Sequence, residues 1–118
     1  MANPSKKKGT EYEVFVLEKI LRPIWPHAVR VSNTLGRNDR GDFFSGTDSW
    51  VVEAKKWDAW ALPAWIRVVR KKAGSRPWCI ITAQDRRKLP GDYVVMPAQQ
   101  WSDMMRELSV LRALTRKV

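Results

Sequence analysis

The stretch GDFFSGTDSWVVEAKKW, residues 41–57, constrains the fold most, because it places charged side chains inside two short apolar runs. The sequence SGTD between the runs is typical of a tight turn, so the stretch predicts a β-hairpin. Charge inside a strand is unfavourable unless it has a partner. Asp42, Glu53 and Lys55 therefore need an interaction that an ordinary apolar strand does not provide.

The predicted hairpin brings the acidic residues together. Side chains alternate across a strand, so Glu53 and Lys55 share one face. A loop of even length would pair Phe44 with Val51 and Asp42 with Glu53, and directly opposed residues place their Cβ atoms about 5 Å apart. Two carboxylates at this separation repel each other, and a divalent cation bound by both would remove the repulsion. Hard oxygen ligands select Mg²⁺ or Mn²⁺.

The Glu53-Ala54-Lys55 triplet has a second interpretation. Acidic-x-Lys on a strand is often a solvated ion pair that contributes under about 1 kcal/mol. This triplet is the only one of its kind in the chain, and it follows an apolar run rather than lying in a polar strand. Both facts favour a catalytic role, in which Lys55 would orient a water or stabilise charge on a phosphate.

The charge balance predicts an anionic partner. The chain has 118 residues, 22 Lys and Arg against 12 Asp and Glu, and a formal net charge of +10. Nucleic acid and an anionic membrane surface are the two candidates. No stretch approaches the roughly 20 apolar residues of a membrane-spanning helix, and we expect no signal peptide, because no apolar segment follows MANPSKKKGT. The single cysteine, Cys79, is predicted to be buried; it excludes an internal disulfide and fits a reducing cytoplasm.

Periodicity and turn residues predict one α/β domain, residues 10–118, in the order α-β-β-β-α-β-β-α, with a mixed β-sheet flanked by helices. Residues 1–9 are expected to form a flexible basic arm, and the first helix to open at Thr10. A strand in HAVRVSN precedes the hairpin, and a second helix runs from about Pro63 to Lys72. PWCIITAQ and DYVVMP predict two further strands, and an amphipathic helix begins at Ala98. Its apolar face contains Trp101, Met104, Met105, Leu108, Leu111 and Thr115.

These residues resemble the signature of the PD-(D/E)XK nuclease superfamily. That signature is an acidic residue, a gap, and then acidic-x-Lys at a hairpin, preceded by a helix that carries another glutamate. Glu53-Ala54-Lys55 matches it in full. Gly41-Asp42 stands where the family usually has Pro-Asp.

Within this superfamily the chain resembles the small Holliday junction resolvases of archaeal type and their relatives in phage genomes. Those proteins begin with Lys-Gly, three residues and a catalytic Glu, and KGTEYE at residues 8–13 has the same spacing. They continue with a Val-Arg strand and a loop that carries a serine, to which AVRVSNTLG at residues 28–36 is similar. The resemblance covers about residues 7–115.

The resemblance implies a restriction-endonuclease-like fold and a Mg²⁺-dependent endodeoxyribonuclease, in which Mn²⁺ would substitute. Asp42 and Glu53 would be the principal metal ligands, with the backbone carbonyl of Ala54 as a third. Lys55 would lie beside the attacking water, and Glu13 would complete the metal site directly or through a water. The reaction would be the hydrolysis of a phosphodiester.

Two of these assignments have alternatives. TEYE, residues 10–13, is also a capping box, in which Glu13 would reach back to the backbone of Thr10. Glu11 is then the next catalytic candidate on this helix. Asp39 is the alternative to Asp42, although a loop acid between two arginines favours a local ion pair.

The resemblance also implies branched four-way junction DNA as the substrate and a homodimer, because two symmetric nicks require two sites. Such a protein would act without a membrane, in the cytoplasm of a bacterium or a phage-infected host. A restriction- or repair-like nuclease that cuts duplex DNA, and a non-catalytic DNA-binding domain of the same fold, are the alternatives. Residues beside the site and on the second helix would bind DNA: Arg30, Ser32, Arg37, Arg40, Arg67, Arg70 and Lys71.

Overall fold

The structure is a computed structural model, and it describes residues 4–31 (4–8 as backbone only), 41–46, 49–57, 59, 61–84 and 90–116. Along these residues the element order is α-β-β-β-α-β-β-α, which confirms the order predicted from the sequence. The helices are α1 (Pro4–Val16), which continues as a π-helical turn (Leu17–Leu21), α2 (Leu62–Ala73) and α3 (Ala98–Arg116). The strands are β1 (Val29–Arg30), β2 (Phe43–Phe44), β3 (Val51–Trp57), β4 (Trp78–Gln84) and β5 (Asp92–Val95).

The β-structure is mixed, because β3 and β4 run parallel while β4 and β5 run antiparallel. β1 and β2 form a separate antiparallel pair. Helix α2 connects β3 to β4 and packs on both strands, whereas α1 packs on β3. The apolar runs of β3 and β4 show little alternation, as expected for strands that are covered on both faces. An α/β fold with a mixed sheet and helices is therefore confirmed.

Two apolar clusters lie on the two sides of β3. Val52 belongs to the cluster beside α1, and Val51 belongs to the cluster beside α2. Because side chains alternate along a strand, Glu53 follows Val51 to the α2 side, while Ala54 packs against the α1 cluster. Cys79 is buried in the α1 cluster, as predicted, and this burial raises the pKa of its thiol to about 12.

The predicted hairpin register is wrong. Strand β2 pairs with β1, with Val29 opposite Phe44, and it forms no ladder with β3. The predicted pairs of Phe44 with Val51 and of Asp42 with Glu53 are therefore not formed. Strand β2 pairs with β1 instead, and the residues just before it approach the free edge of β3 in the parallel direction, through a bridge between Gly41 and Val52, rather than in the antiparallel direction of a hairpin. Strands that follow each other in sequence are neighbours only about two-thirds of the time.

Helix α1 begins at Pro4, before the predicted start at Thr10. Proline suits a first helical turn, because its missing N–H has no role there, and the lysines that follow are good helix formers. Thr10 therefore lies inside the helix, and the capping box of residues 10–13 is not formed. The predicted boundary at residue 9 falls within α1, and the flexibility of the arm stays a prediction.

Helix α3 differs from the prediction that helices cover the faces of the sheet. None of its side chains is buried, and neither apolar cluster includes one of them. Its first turn is anchored by Gln100, which accepts the N–H of Trp78 (3.0 Å) and donates to the carbonyl of Trp78 (2.9 Å). No helix in the described part of the chain has the length and apolar character needed to cross a bilayer.

Candidate active site

Asp42 lies at the edge of β3 that β4 leaves free. Its backbone N–H donates to the carbonyl of Val52 (2.9 Å), and its side-chain Oδ2 accepts the N–H of Ala54 (2.8 Å). On its other side the Asp42 carbonyl accepts the N–H of Val31 (2.9 Å). The main chain therefore fixes Asp42 between β1 and β3, and its carboxyl group lies alongside the triplet 53–55.

Gly41 allows this close approach to β3. It forms an isolated parallel bridge with Val52 and has a φ of 75°, in the left-handed region. A Cβ at Gly41 would lie 2.8 Å from the Val52 carbonyl oxygen, so a larger residue does not fit. Proline holds φ near −65° and is incompatible with this backbone. The departure from the Pro-Asp pattern of the superfamily thus has a structural reason.

Glu53 is 4% exposed and has a cationic partner on α2. The Nζ atom of Lys72 donates to its Oε1 atom at 2.7 Å, and Arg76 donates to the Lys72 carbonyl at the end of the helix. A buried carboxylate is strongly unfavourable without such a partner. The sequence analysis did not identify this ion pair. Its one available signal is that Lys72 lies three residues after Val69, which is on the buried face of α2.

The acidic cluster, which we define as Asp42, Glu53 and Glu13, brings like charges close enough to act on one another. The pKa of Asp42 is raised from 3.8 to about 8, first by burial and then by the negative charge of Glu53. The N–H of Ala54 lowers this pKa, and the charge of Glu13 raises it further. The carboxyl groups predicted to form one site therefore lie close together, although the predicted hairpin register does not form.

Glu13 reaches this cluster from α1. Its Oε2 atom accepts a hydrogen bond from Nη2 of Arg30 at 2.8 Å, and both side chains are partly exposed. Arg30, a predicted DNA-binding residue, is therefore paired with a carboxylate of the site. Glu11, the alternative to Glu13, is exposed on α1, and the charge of Glu13 is the one that acts on Asp42.

Lys55 faces the α2 side of β3 together with Glu53. Within the described residues it makes no hydrogen bond and no ion pair. Its neighbour on β4 is Thr82, which is fully buried and whose Oγ1 atom has no hydrogen-bond partner in the described part of the chain. The sequence analysis missed Thr82, for which the signal is a lone hydroxyl in the apolar run WCIITA. Lys56 lies on the opposite face, with its Nζ atom 5.8 Å from the centroid of the Tyr12 ring.

Three of the predicted DNA-binding residues lie together on the exposed face of α2. Arg67, Arg70 and Lys71, with Gly74 and Trp78, line an open depression of about 370 Å³. Among the described residues that line this basic depression none is acidic, so its positive charge is expected to attract an anion. Three further predicted DNA-binding residues lie outside the described part of the chain: Ser32, Arg37 and Arg40. Asp39, the alternative to Asp42, lies outside it as well.

The side chains at the free edge of β3 fit a hard divalent cation with two protein carboxylates. Among the described residues, no group of three or more His, Cys, Asp or Glu side chains is arranged to hold a metal ion. Mg²⁺ usually takes one or two carboxylates and keeps several waters, so Asp42 and Glu53 satisfy its requirements. Ala54, whose carbonyl is the third predicted ligand, is joined to Asp42 through its N–H. The unpaired hydroxyl of Thr82 is a further polar group on the Glu53 side of the sheet.

Comparison of the chain with protein-family models, with curated proteins and with solved structures yields no match. The resemblance to the nuclease superfamily therefore rests on the short motifs quoted above. The functional interpretation rests on the geometry of the acidic cluster and on the basic depression.

Proposed function

We propose that the chain is a metal-dependent endodeoxyribonuclease with a restriction-endonuclease-like fold. The observation that carries the proposal is the acidic cluster, in which burial, and after it the neighbouring carboxyl groups, raise the pKa of Asp42 to about 8. Holding like charges together in a half-buried site lowers stability, and such perturbed groups concentrate at functional sites. Carboxylate oxygens are also the ligands that Mg²⁺ prefers in proteins.

Each residue of the site has a role in this proposal. Bound Mg²⁺, or Mn²⁺ in its place, would polarise a phosphate oxygen and lower the pKa of a bound water. Asp42 and Glu53 would hold the cation together with the carbonyl of Ala54, and Glu13 would act on it directly or through a water. Lys55, which has no partner among the described residues, stabilises negative charge on the scissile phosphate.

The charge distribution supports DNA as the substrate. The formal net charge is +10, and phosphate contacts supply most of the sequence-independent affinity for DNA. The basic depression on α2 offers three cations to a DNA strand that would run past β3. From the resemblance to resolvases, we propose a four-way junction as the substrate and a homodimer as the active form. The same resemblance suggests the cytoplasm of a bacterium or of a phage-infected host.

One observation favours a second candidate, a non-catalytic DNA-binding domain. Lys72 is paired with Glu53 and Arg30 is paired with Glu13, so two carboxylates of the acidic cluster already have cationic partners. In a protein of that kind the cluster would only connect α1, β3 and α2. Cleavage, rather than binding, separates the two candidates.

The test compares a labelled four-way junction with a linear duplex of the same sequence, in Mg²⁺ and in EDTA. Asp42→Asn and Glu53→Gln keep the shape of each side chain and remove its charge. Asp103→Asn, on exposed α3, is the matched control, because it removes the same charge away from the acidic cluster. We expect wild type and the control to nick the junction in Mg²⁺ only, and the two site variants to be inactive.

Three other outcomes have distinct meanings. Equal cutting of the duplex would keep the site and assign the enzyme to the duplex nucleases. Tight junction binding by every variant without any cleavage would support the DNA-binding domain. Cleavage that survives in both site variants would overturn the assignment of the acidic cluster.

A further inference from the structure

The second half of α3 is apolar and has no partner within the described chain. From Arg106 to Arg116 every side chain is exposed, and Val110, Leu111 and Leu114 are exposed by 55%, 60% and 57%. Eleven residues extend a helix by about 16 Å, and isolated helices of this length are marginal in water. A second surface that covers these side chains would therefore stabilise the helix.

Five residues of α3 follow a seven-residue repeat, whereas the exposed Val110 and Leu114 lie outside it. With Trp101 at position a of a heptad, Leu108 and Thr115 also fall at a, and Met104 and Leu111 fall at d. Apolar residues at a and d form the narrow stripe through which two helices pack in a left-handed coiled coil. The stripe spans about two heptads, fewer than in a permanent coiled coil, so we expect a reversible contact between copies of the chain.

The charged residues beside the stripe indicate which helix packs on it and whether that helix runs parallel or antiparallel to α3. In this register Glu107 falls at position g and Arg112 at position e. In a parallel pair, position g of one helix faces the following position e of the other, so Glu107 meets Arg112 of the second copy twice. In an antiparallel pair g faces g and e faces e, so glutamates would meet glutamates and arginines would meet arginines. The charges of α3 are thus complementary to a parallel copy of itself.

We propose that α3 pairs in parallel with α3 of a second copy of this chain, around a two-fold axis along the two helices. Leu108 and Leu111 form the centre of the contact, and two Glu107–Arg112 pairs flank it. The inference does not rest on the proposed nuclease activity, since it uses only the exposure and the charges of α3. Because the net charge of +10 makes the copies repel each other, added salt is expected to strengthen the dimer.

The first test measures the molecular mass of the full chain by sedimentation equilibrium. Wild type is expected to dimerise with a dissociation constant in the micromolar range, and Leu111→Glu to weaken the dimer by about tenfold or more, because it places charge in the apolar stripe. Ala113→Glu adds the same charge on the opposite side of α3 and is expected to behave like wild type. Circular dichroism checks that both variants fold. A monomeric wild type, or equal weakening by both variants, would overturn the proposal.

The second test fixes the direction of the pair. Glu107→Arg and Arg112→Glu are each expected to weaken the dimer, and the double variant to restore it. Leu108→Cys is expected to form a disulfide-linked dimer under mild oxidation, because position a faces position a in a parallel pair; native Cys79 is buried. Absence of restoration together with absence of the cross-link would refute the parallel arrangement. Both readouts are independent of cleavage, so failure of the proposed activity would leave them unaffected.

Discussion

A rise in pH is expected to destabilise this protein through one carboxyl group. The pKa of Asp42 is raised from 3.8 to about 8 in the folded protein, by burial and by the charge of Glu53. Between these two values the folded state keeps a proton that the unfolded chain has released. The free energy of unfolding therefore falls as the pH rises through this range, and the fall is complete above about pH 8.

The size of this effect follows from the shift. One pKa unit corresponds to about 1.4 kcal/mol, so the full shift corresponds to at most about 6 kcal/mol. Asp42 is only half-buried, and solvent near the site reduces the effect, so we expect a loss of about 2 to 3 kcal/mol. Asp42→Asn removes the ionisation and keeps an oxygen that accepts the N–H of Ala54.

Urea unfolding in EDTA at about pH 5 and about pH 8 measures the difference between wild type and Asp42→Asn. We expect the variant to gain stability relative to wild type at the higher pH, and to show little gain at the lower one. Asp103→Asn is the control and is expected to follow wild type at both pH values. Added Mg²⁺ at the higher pH is expected to stabilise wild type more than Asp42→Asn, because ligand binding favours the folded state. Parallel pH profiles for wild type and Asp42→Asn would refute the reasoning.

Other substitutions test the surroundings of the acidic cluster. Gly41→Ala is expected to lower the free energy of unfolding by about 1 to 3 kcal/mol. The new Cβ would lie 2.8 Å from the Val52 carbonyl oxygen, and the backbone at this position is left-handed. An unchanged urea midpoint would contradict this prediction. Lys72→Met is expected to lower the free energy of unfolding by about 3 to 5 kcal/mol, because Glu53 loses its buried partner. In a double-mutant cycle, adding Glu53→Gln should recover most of that loss. Replacing the three cations of the basic depression with alanine is expected to make the plot of log DNA affinity against log salt less steep, by up to about 2.7 in slope. Fluorescence anisotropy measures this affinity. An unchanged slope would exclude the basic depression as a DNA-binding surface.

The order of the elements could be predicted because its signals are local. Helix α2 shows this well, since Pro63 lies in its first turn and Gly74, with a φ of 61°, follows its last residue. Strand pairing could not be predicted in the same way. The alternation of β2 is equally compatible with β1 or β3 as its neighbour, and the left-handed conformation of Gly41 decides how the chain reaches β3.

The residues of the candidate site could be predicted where they belong to the nuclease-like motif itself. The resemblance to the nuclease signature places Asp42, Glu53 and Glu13 in one site, whereas the predicted hairpin register, which would pair Asp42 with Glu53, is wrong. The contact of Lys72 with Glu53 depends on how α2 docks, and the position of Thr82 beside Lys55 depends on the parallel register of β3 and β4. Both are set by tertiary packing, which no local pattern specifies.

Helix α3 illustrates a third limit. Its amphipathic pattern correctly indicates a helix with an apolar face, but a pattern of this kind does not tell which surface covers that face. In this protein the sheet does not cover it, since none of the α3 side chains is buried. The charges at Glu107 and Arg112 are the only local information about the partner, and they favour a second copy.

The most direct test of the account is single-turnover cleavage of a labelled four-way junction by wild type and Asp42→Asn, with junction binding measured in parallel in EDTA. The account predicts that both proteins bind the junction, that wild type produces paired nicks when Mg²⁺ is added, and that Asp42→Asn produces none. Wild type that binds the junction as tightly as Asp42→Asn and never cuts it in Mg²⁺ or Mn²⁺ would contradict the account.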